Sequence, residues 1–549
     1  MARTNRAGPS GLSPGVSAAA HWKPAGGEKI TSTDLVLAGA ALALFLIFEI
    51  VFFQFHTLPA TRPETDGIGY MLRASGPVFQ IADFHGPGYS FAIRAVALLG
   101  VDIFSAAKIV SIVAAAAFLA LSWVIVASFS GPREASVASV LMAASPAVFL
   151  GAASILSDML GAACFLGSFA LLGVARRISW WHFSAAGALA GFAYLTRSIY
   201  GTALLIPFVI VVLKLNGASL AANLRRMAAY FAAFALITAP WLIFVYGEKG
   251  SPFWSMNHLN LAFRMYRDGQ GWNAFPADGA FPGVWAVVQS DPGRFLQMWL
   301  QEIAGAPSRI LHLIPPLAIA AAMGCLIWCL QINRAKLTYL LAVTPYLLAV
   351  SLVWYEARYY LIFAPLAAAF AATLITGLPA LIERVRLASP SWKPSSGMAV
   401  QAIALAFAVG LCVPRTFRDA EQFLRDQAPE YRAAADWLSA YGGRAISVMA
   451  AKPHIAFFSG ARDIRFRDVR IQDATASEIP GILERARPTY FVYDERYAAQ
   501  EFPNLRLFLN GDRAPLPELL TPVFIAESPR KVIVYKVTER LAAGARATE

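Results

Sequence analysis

Long apolar runs separated by short polar gaps recur along the first three quarters of the chain. They lie at 35–53, 105–129, 137–153, 156–175, 183–195, 200–213, 227–246, 310–330, 337–355, 359–382 and 398–413. A helix crosses the hydrocarbon core of a bilayer with about 20 apolar residues, so the pattern predicts a polytopic α-helical membrane protein of about 11 spans, up to about 13 if fused runs are divided. The runs at 183–195 and 200–213 are short for a crossing and suit tilted helices or helices buried among neighbours. After residue 414 the pattern changes. Residues 428–440 have helical periodicity and stop at Gly442-Gly443, whereas 445–449, 490–493 and 532–537 are short β-branched or aromatic runs typical of buried strands, with a helix expected at 477–486. They predict a soluble α/β domain over 415–549, large enough for its own core. Residues 1–32 are rich in Gly, Pro, Ala and Ser and predict a disordered tail, which leaves 33–414 as the membrane domain.

Composition agrees with this division. The 549 residues are 57% hydrophobic and 15% charged, where a soluble domain carries about a quarter charged residues. Mean hydropathy is +0.54. The net charge of +12 comes from basic residues scattered in pairs between apolar runs, which reads as topology control and not as a nucleic-acid surface. With the N-terminus inside, the inner gaps hold Arg133; Arg176 and Arg177; Lys214, Arg225 and Arg226; Arg334 and Lys336; and Arg384, Arg386 and Lys393, as the positive-inside rule asks. The gaps 54–104 and 247–309 and everything after 413 then lie outside. The run 35–53 lacks a small-residue cleavage site after it and reads as an uncleaved first span. Cys164, Cys325, Cys329 and Cys412 all lie in apolar runs, as small buried hydrophobes do, and the hydrophilic regions contain no cysteine for a disulfide.

The first outer gap carries the candidate chemistry. It contains Pro63-Glu64-Thr65-Asp66-Gly67-Ile68-Gly69-Tyr70 and Asp83-Phe84-His85-Gly86-Pro87-Gly88-Tyr89. Carboxylates and an imidazole held at a membrane surface lose solvation and are rarely idle. Two interfacial helices are expected there, 67–74 just after Asp66 and 84–99 interrupted by Arg94. Asp66 suits a helix cap as well as a general base, and Asp158 at the outer start of the fourth span suits a helix cap. Arg358, Arg197 and Lys108 are outer-side cations for which the positive-inside rule gives no reason, and they rank in that order as phosphate ligands. The alternatives are snorkelling for Lys108 and an ion pair with Glu356 or Asp158 for Arg358. Asp83 and His85 are candidate ligands for a divalent cation, although they lack metal-type spacing, so a metal cofactor is left open. Trp254, His258, Tyr266, Trp272, Trp285 and Trp299 in the gap 247–309 suit sugar stacking or, more commonly, interfacial anchoring. Glu49, near the outer end of the first run, reads as a snorkelling carboxylate or a group facing the site.

Asp66-x-x-x-Tyr70, His85-x-Pro87-x-Tyr89, Ser157-Asp158 and Arg358-Tyr359, opening a span that continues to Pro365, form an ordered set. In order and spacing it resembles the membrane glycosyltransferases of the GT-C fold, in the branch of the protein O-mannosyltransferases and lipid A aminoarabinose transferases. The likeness covers the whole membrane portion and the trailing soluble domain. It departs at Gly67, where that branch more often has Glu, and at Gly88, where it has a bulkier residue. The resemblance implies inverting sugar transfer from a polyprenyl-phosphate donor to an acceptor hydroxyl, on the periplasmic face of a bacterial inner membrane. It implies Asp66 as the base, Arg358, Arg197 and Lys108 on the donor phosphate, and Tyr70, Asp83, His85, Tyr89 and Asp158 as further active-site residues. The acceptor class (glycan, lipid or protein) and the sugar stay open. The alternative is a flippase for a lipid-linked saccharide, against which stand the lack of an evident inverted repeat and the placing of charge in outer gaps.

Overall fold

The computed structural model describes residues 29–55, 65–77, 79–80, 85–175, 178–215, 217–266, 276, 279–352, 356–385, 395–443, 446–461, 463–465, 475–510 and 516–538. Among the described residues, the apolar runs fold as helix. The first half of the chain forms α1 (Ser32–Phe55), α2 (Thr65–Ser75), α3 (Gly88–Ala97), α4 (Ile103–Phe129), α5 (Pro132–Ala143), α6 (Pro146–Ala153), α7 (Ser157–Gly173), α8 (Trp180–Thr196), α9 (Ile206–Lys214) and α10 (Leu220–Lys249). There follow α11 (Asn257–Tyr266), α12 (Val284–Ser290), α13 (Pro292–Leu311), α14 (Ala318–Leu330), α15 (Arg334–Val350), α16 (Ala364–Val385) and α17 (Ser395–Arg425). Short 3-10 segments, Ser198–Leu205 and Ala357–Phe363, lead into α9 and α16. Polar caps start several of these helices: Asp102 accepts from the Ser105 amide at 3.0 Å and Asn333 from the Lys336 amide at 2.8 Å.

Among the described residues, five helices are long and apolar enough to cross a membrane, or seven if each bent pair is one span. The run at 137–153, expected as one crossing, is two helices bent by 59° where Ser145-Pro146 interrupts the backbone ladder. The run at 310–330 is likewise broken, with α13 and α14 meeting at 93°. α7 is shorter, at 17 residues, and nearly every one of its side chains is buried, so it is held by neighbouring helices and not by lipid. The expected interfacial helices are α2 and α3.

The C-terminal part adds α18 (Pro429–Tyr441), β1 (Ser447–Ala450), α19 (His454–Phe458), β2 (Asp463–Arg465), α20 (Ile479–Ala486), β3 (Tyr490–Asp494), α21 (Ala498–Glu501), β4 (Leu520–Ala526) and β5 (Val532–Val537). The sheet order is β2-β1-β3-β5-β4. β1 runs parallel to β2 and β3, and β5 runs antiparallel to β3 and β4. β3 is buried along its whole length, as a central strand covered on both faces must be. α17 passes without a break from its apolar half through residue 415, and the next segment ties back to the membrane part. The Gln427 side-chain amide donates to the Phe55 carbonyl at 3.1 Å, and Phe458 on α19 packs edge-on against Phe104 at 5.8 Å. The α/β domain therefore sits against the ends of α1 and α4 and against α2, the helix that carries Asp66.

Candidate active site

On α2, Asp66, Tyr70 and Arg73 follow one another at i, i+4 and i+7 and so share a face. Arg73 is buried and its Nη1 donates to the carbonyls of His85 at 3.1 Å and Gly86 at 2.7 Å, which fixes the loop before α3. That loop lies on the end of α8. A Cβ at Gly88 would stand 2.7 Å from the backbone of Leu195 and Thr196, and one at Gly86 would strike the Leu195 carbonyl, so both positions exclude a side chain. A Cβ at Gly67 would stand 3.0 Å from the Ile155 carbonyl oxygen, a tight but looser fit. The two departures from the resembled pattern, Gly67 and Gly88, thus fall where the backbone comes close to a neighbouring segment.

The same close approach delivers Arg197, the residue after α8, to the first turn of α7, where it pairs with Asp158. The Tyr200 hydroxyl donates to the Asp158 carbonyl at 3.1 Å. Arg358 enters from the segment before α16. Its Nη2 lies 3.6 Å from Asp66 Oδ2, and its Nε lies 3.9 Å from Asp158 Oδ2 and 2.7 Å from Glu356 Oε2. His85 Nε2 stands 3.4 Å from Asp66 Oδ2. The Tyr359 ring lies under both guanidiniums, 4.3 Å from Arg197 and 5.2 Å from Arg358. Three carboxylates therefore face two guanidiniums and one imidazole. Among the described residues, Arg358 Nη1 and Nε and Asp158 Oδ2 are buried without an aligned hydrogen bond, so the Nε–Glu356 pair is close but misdirected.

Accessibility separates the carboxylates. The Asp66 side chain keeps 23% of its exposure and that of Asp158 only 4%. Burial pushes Asp66 up, but His85, Arg358 and Arg197 together outweigh it and hold the carboxyl well below the usual range. Burial is the larger influence at Glu356, which is lifted above the usual range in spite of Arg358.

Of the residues expected at the site, the structure gathers Asp66, His85, Asp158, Arg197 and Arg358. Tyr70 and Tyr89 stand behind them: Tyr70 bonds Ser157 Oγ at 2.8 Å and meets the rings of His85 and Tyr89 edge-on, and Tyr89 bonds Ser111 Oγ at 2.6 Å. The Lys108 ammonium donates to the Phe53 carbonyl of α1 at 2.9 Å and lies over the rings of Phe53 and of Phe104 on α4. Asp83 and Trp272 lie outside the described residues. No group of three or more potential metal ligands occurs among the described residues. Glu49, read as snorkelling or as facing the site, is buried on the side of α1 that also buries Ala41 and Phe45. In the gap 247–309, His258 is spent on the Ser255 and Phe281 carbonyls, Tyr266 stacks on Phe281 and Trp299 bonds the Leu348 carbonyl, whereas Trp285 is exposed. Sequence reasoning missed Arg73, although its i+7 spacing from Asp66 was a usable signal. It also missed the buried Glu302, which pairs with Arg264 and Arg309.

An apolar groove of about 780 Å³ runs between α3, α4, α7 and α8, from Ala92 and Val96 to Trp181 and His182, and none of the charged residues of the cluster lines it. Leu160, two residues past Asp158, lines it.

In fold the chain is similar to solved structures of the GT-C class. No family model and no curated protein matches the chain. Solved structures do. ArnT from Cupriavidus metallidurans, bound to undecaprenyl phosphate, is similar at 15% identity and TM-score 0.56, over 93% of this chain and 99% of that one. The Archaeoglobus fulgidus oligosaccharyltransferase in its apo form is similar at 12% identity and TM-score 0.55, over 92% of this chain and 74% of that one. The arabinofuranosyltransferase AftD from Mycobacteria is similar at 13% identity and TM-score 0.50, over 91% of this chain and 41% of that one. At these identities the likeness is one of fold.

Proposed function

We propose that this protein transfers a sugar from a polyprenyl-phosphate donor to an acceptor hydroxyl, with inversion, on the periplasmic face of a bacterial inner membrane. The N-terminus then lies in the cytoplasm and the α/β domain in the periplasm. The observation that carries this is the convergence of Arg358 and Arg197, from separate elements, on one accessible and one buried carboxylate. Two guanidiniums with an orphaned Nη1 suit a phosphate, and the apolar groove between α3, α4, α7 and α8 suits a prenyl tail. The capture of undecaprenyl phosphate by ArnT, whose fold this chain shares along nearly its whole length, supports the same class of donor.

In this scheme the acceptor oxygen attacks the anomeric carbon while Asp66 takes its proton. The bond from that carbon to the phosphate oxygen breaks, and its electron pair stays on the phosphate between Arg358 and Arg197. Asp158, too enclosed to meet an acceptor, holds Arg197 in place. Asp66 is a poor base while His85 and Arg358 hold it. Donor phosphate draws Arg358 away from the carboxylate and restores its basicity, so the base is strengthened when there is a sugar to transfer.

The test is binding of undecaprenyl phosphate by the full chain in nanodiscs. The expected result is a concentration-dependent rise in unfolding temperature that Arg358→Gln abolishes. No such rise, together with movement of a lipid-linked saccharide across vesicles containing the protein, would favour the flippase.

A further inference from the structure

α13 has its charges on the side opposite to that of a helix facing water. Its buried positions are Glu302, Ala306 and Ile310, while Leu296, Leu300 and Ala304 are exposed at the same four-residue spacing. Its charged residues are Arg294, Glu302 and Arg309, and none is exposed. The outward face instead presents Leu296, Gln297, Leu300, Gln301 and Ala304. On the inward face Glu302 pairs through one oxygen with Arg264 of α11 and through the other with Arg309, and Arg309 also donates to the Tyr360 hydroxyl at 3.3 Å. Tyr360 is two residues from Arg358 in the same 3-10 segment.

The outward face is continuous with a lipid-facing wall. α13 meets α14 at 93°, and α14 exposes Ile319, Met323, Leu326 and Leu330. With α14 upright and its exposed apolar side in lipid, α13 at right angles to it lies along the membrane plane. α12 adds Val284 and Trp285, the latter 76% exposed, next to α13 in the chain and packed with it through Val287 and Phe295. An uncharged, apolar, in-plane face of this kind matches the headgroup–acyl boundary of a bilayer.

We infer that α12–α13 is docked on the outer leaflet of the protein's own membrane. Trp285, Leu296 and Leu300 enter the lipid, and the opposite face of α13 holds Tyr360, and with it the Arg358 turn, at the depth of lipid phosphates. The lipid contact rests on the membrane architecture alone, and its consequence for Arg358 rests on the function proposed above.

The experiment uses the full chain with its four cysteines replaced by serine, in nanodiscs of phosphatidylethanolamine and phosphatidylglycerol. Nitroxides are attached at Leu296→Cys and Leu300→Cys, with Leu326→Cys as the lipid reference and Asp436→Cys as the water reference. The expected result is collision with oxygen in preference to a nickel chelate, at a depth of about 5–10 Å. Free collision with the chelate, as at Asp436→Cys, would overturn the inference. So would protection from both reagents, which marks a protein partner or a second copy on this face. Should the cysteine-free chain not fold, brominated lipids added to the native chain give a second measurement. They should quench emission that is lost in Trp285→Phe, and equal quenching of both proteins would overturn the inference. Lipid contact in a protein that transfers no sugar would leave the docking intact and remove the proposed function.

Discussion

Replacing Arg358 with glutamine removes one guanidinium from a cluster in which it stands 3.6 Å from Asp66, 3.9 Å from Asp158 and 2.7 Å from Glu356. At an effective dielectric of about 20, a unit charge at the first of these distances is worth about 5 kcal/mol before desolvation. Even a third of that exceeds the roughly 1.4 kcal/mol equivalent to one pKa unit. Arg358 lowers the Asp66 carboxyl, so its loss raises it. A base works only when deprotonated, so the acid limb of activity in Arg358→Gln moves up by at least about one pH unit. The lost charge-assisted hydrogen bonds to phosphate are worth about 1.5–3 kcal/mol, or about 10- to 150-fold in donor KM. Arg358→Lys keeps the charge but not the fork, and recovers the pH limb more fully than the KM. Initial rates at varied donor, for the full chain in nanodiscs, give the donor KM, and carrying them down to pH 3 gives the acid limb, which in wild type lies below the usual carboxylate range. A donor KM within threefold of wild type and an unmoved acid limb would refute the reasoning.

Asp158→Asn leaves Arg197 buried without its counter-charge, which should cost about 3–5 kcal/mol and show as loss of the folded fraction in detergent; an unchanged unfolding temperature would contradict the pairing. Gly88→Ala forces a methyl group against the Leu195–Thr196 backbone and should destabilise by at least about 1–3 kcal/mol and displace His85, measured by thermal unfolding together with turnover. His454, buried in the α/β domain with Lys452 nearby, has its imidazole pushed down to about 3 from 6.5, so the unfolded state binds a proton there that the folded state does not. Stability accordingly rises with pH through that window and is lost on acidification, by about 2 kcal/mol at pH 5. Hydrogen exchange of β1 and β3 at pH 7 and 5 reads the loss, and His454→Leu should remove it.

The helices were legible because each apolar run is long and bounded by polar or proline residues, and the site was legible because its charged residues stand out between such runs. What was hidden has particular physical causes. The three-residue β2 carries Asp463 and Arg465 and shows no apolar run, and β4 contains Pro522 at a register shift on the sheet edge, which separates the short run 523–526 from the start of its strand. The breaks at Pro146 and between Leu311 and Pro315 lie inside continuous apolar sequence, where hydropathy has no feature. Lys108 and Arg197 look alike along the chain, and only the close approach of Gly86 and Gly88 to α8 shows which of them reaches Asp158. Glu302 was invisible for the opposite reason, since its two partners come from residues 38 and 7 positions away.

The central claim is that Asp66 removes the acceptor proton in transfer from a lipid-phosphate sugar. The direct measurement is turnover of a panel of polyprenyl-phosphate sugars by purified wild type and Asp66→Asn, with membrane-extract acceptors and with donor binding measured alongside. Sugar transfer by wild type, and its loss in an Asp66→Asn protein that still folds and still binds donor, is the predicted outcome. Unchanged turnover in Asp66→Asn would contradict it.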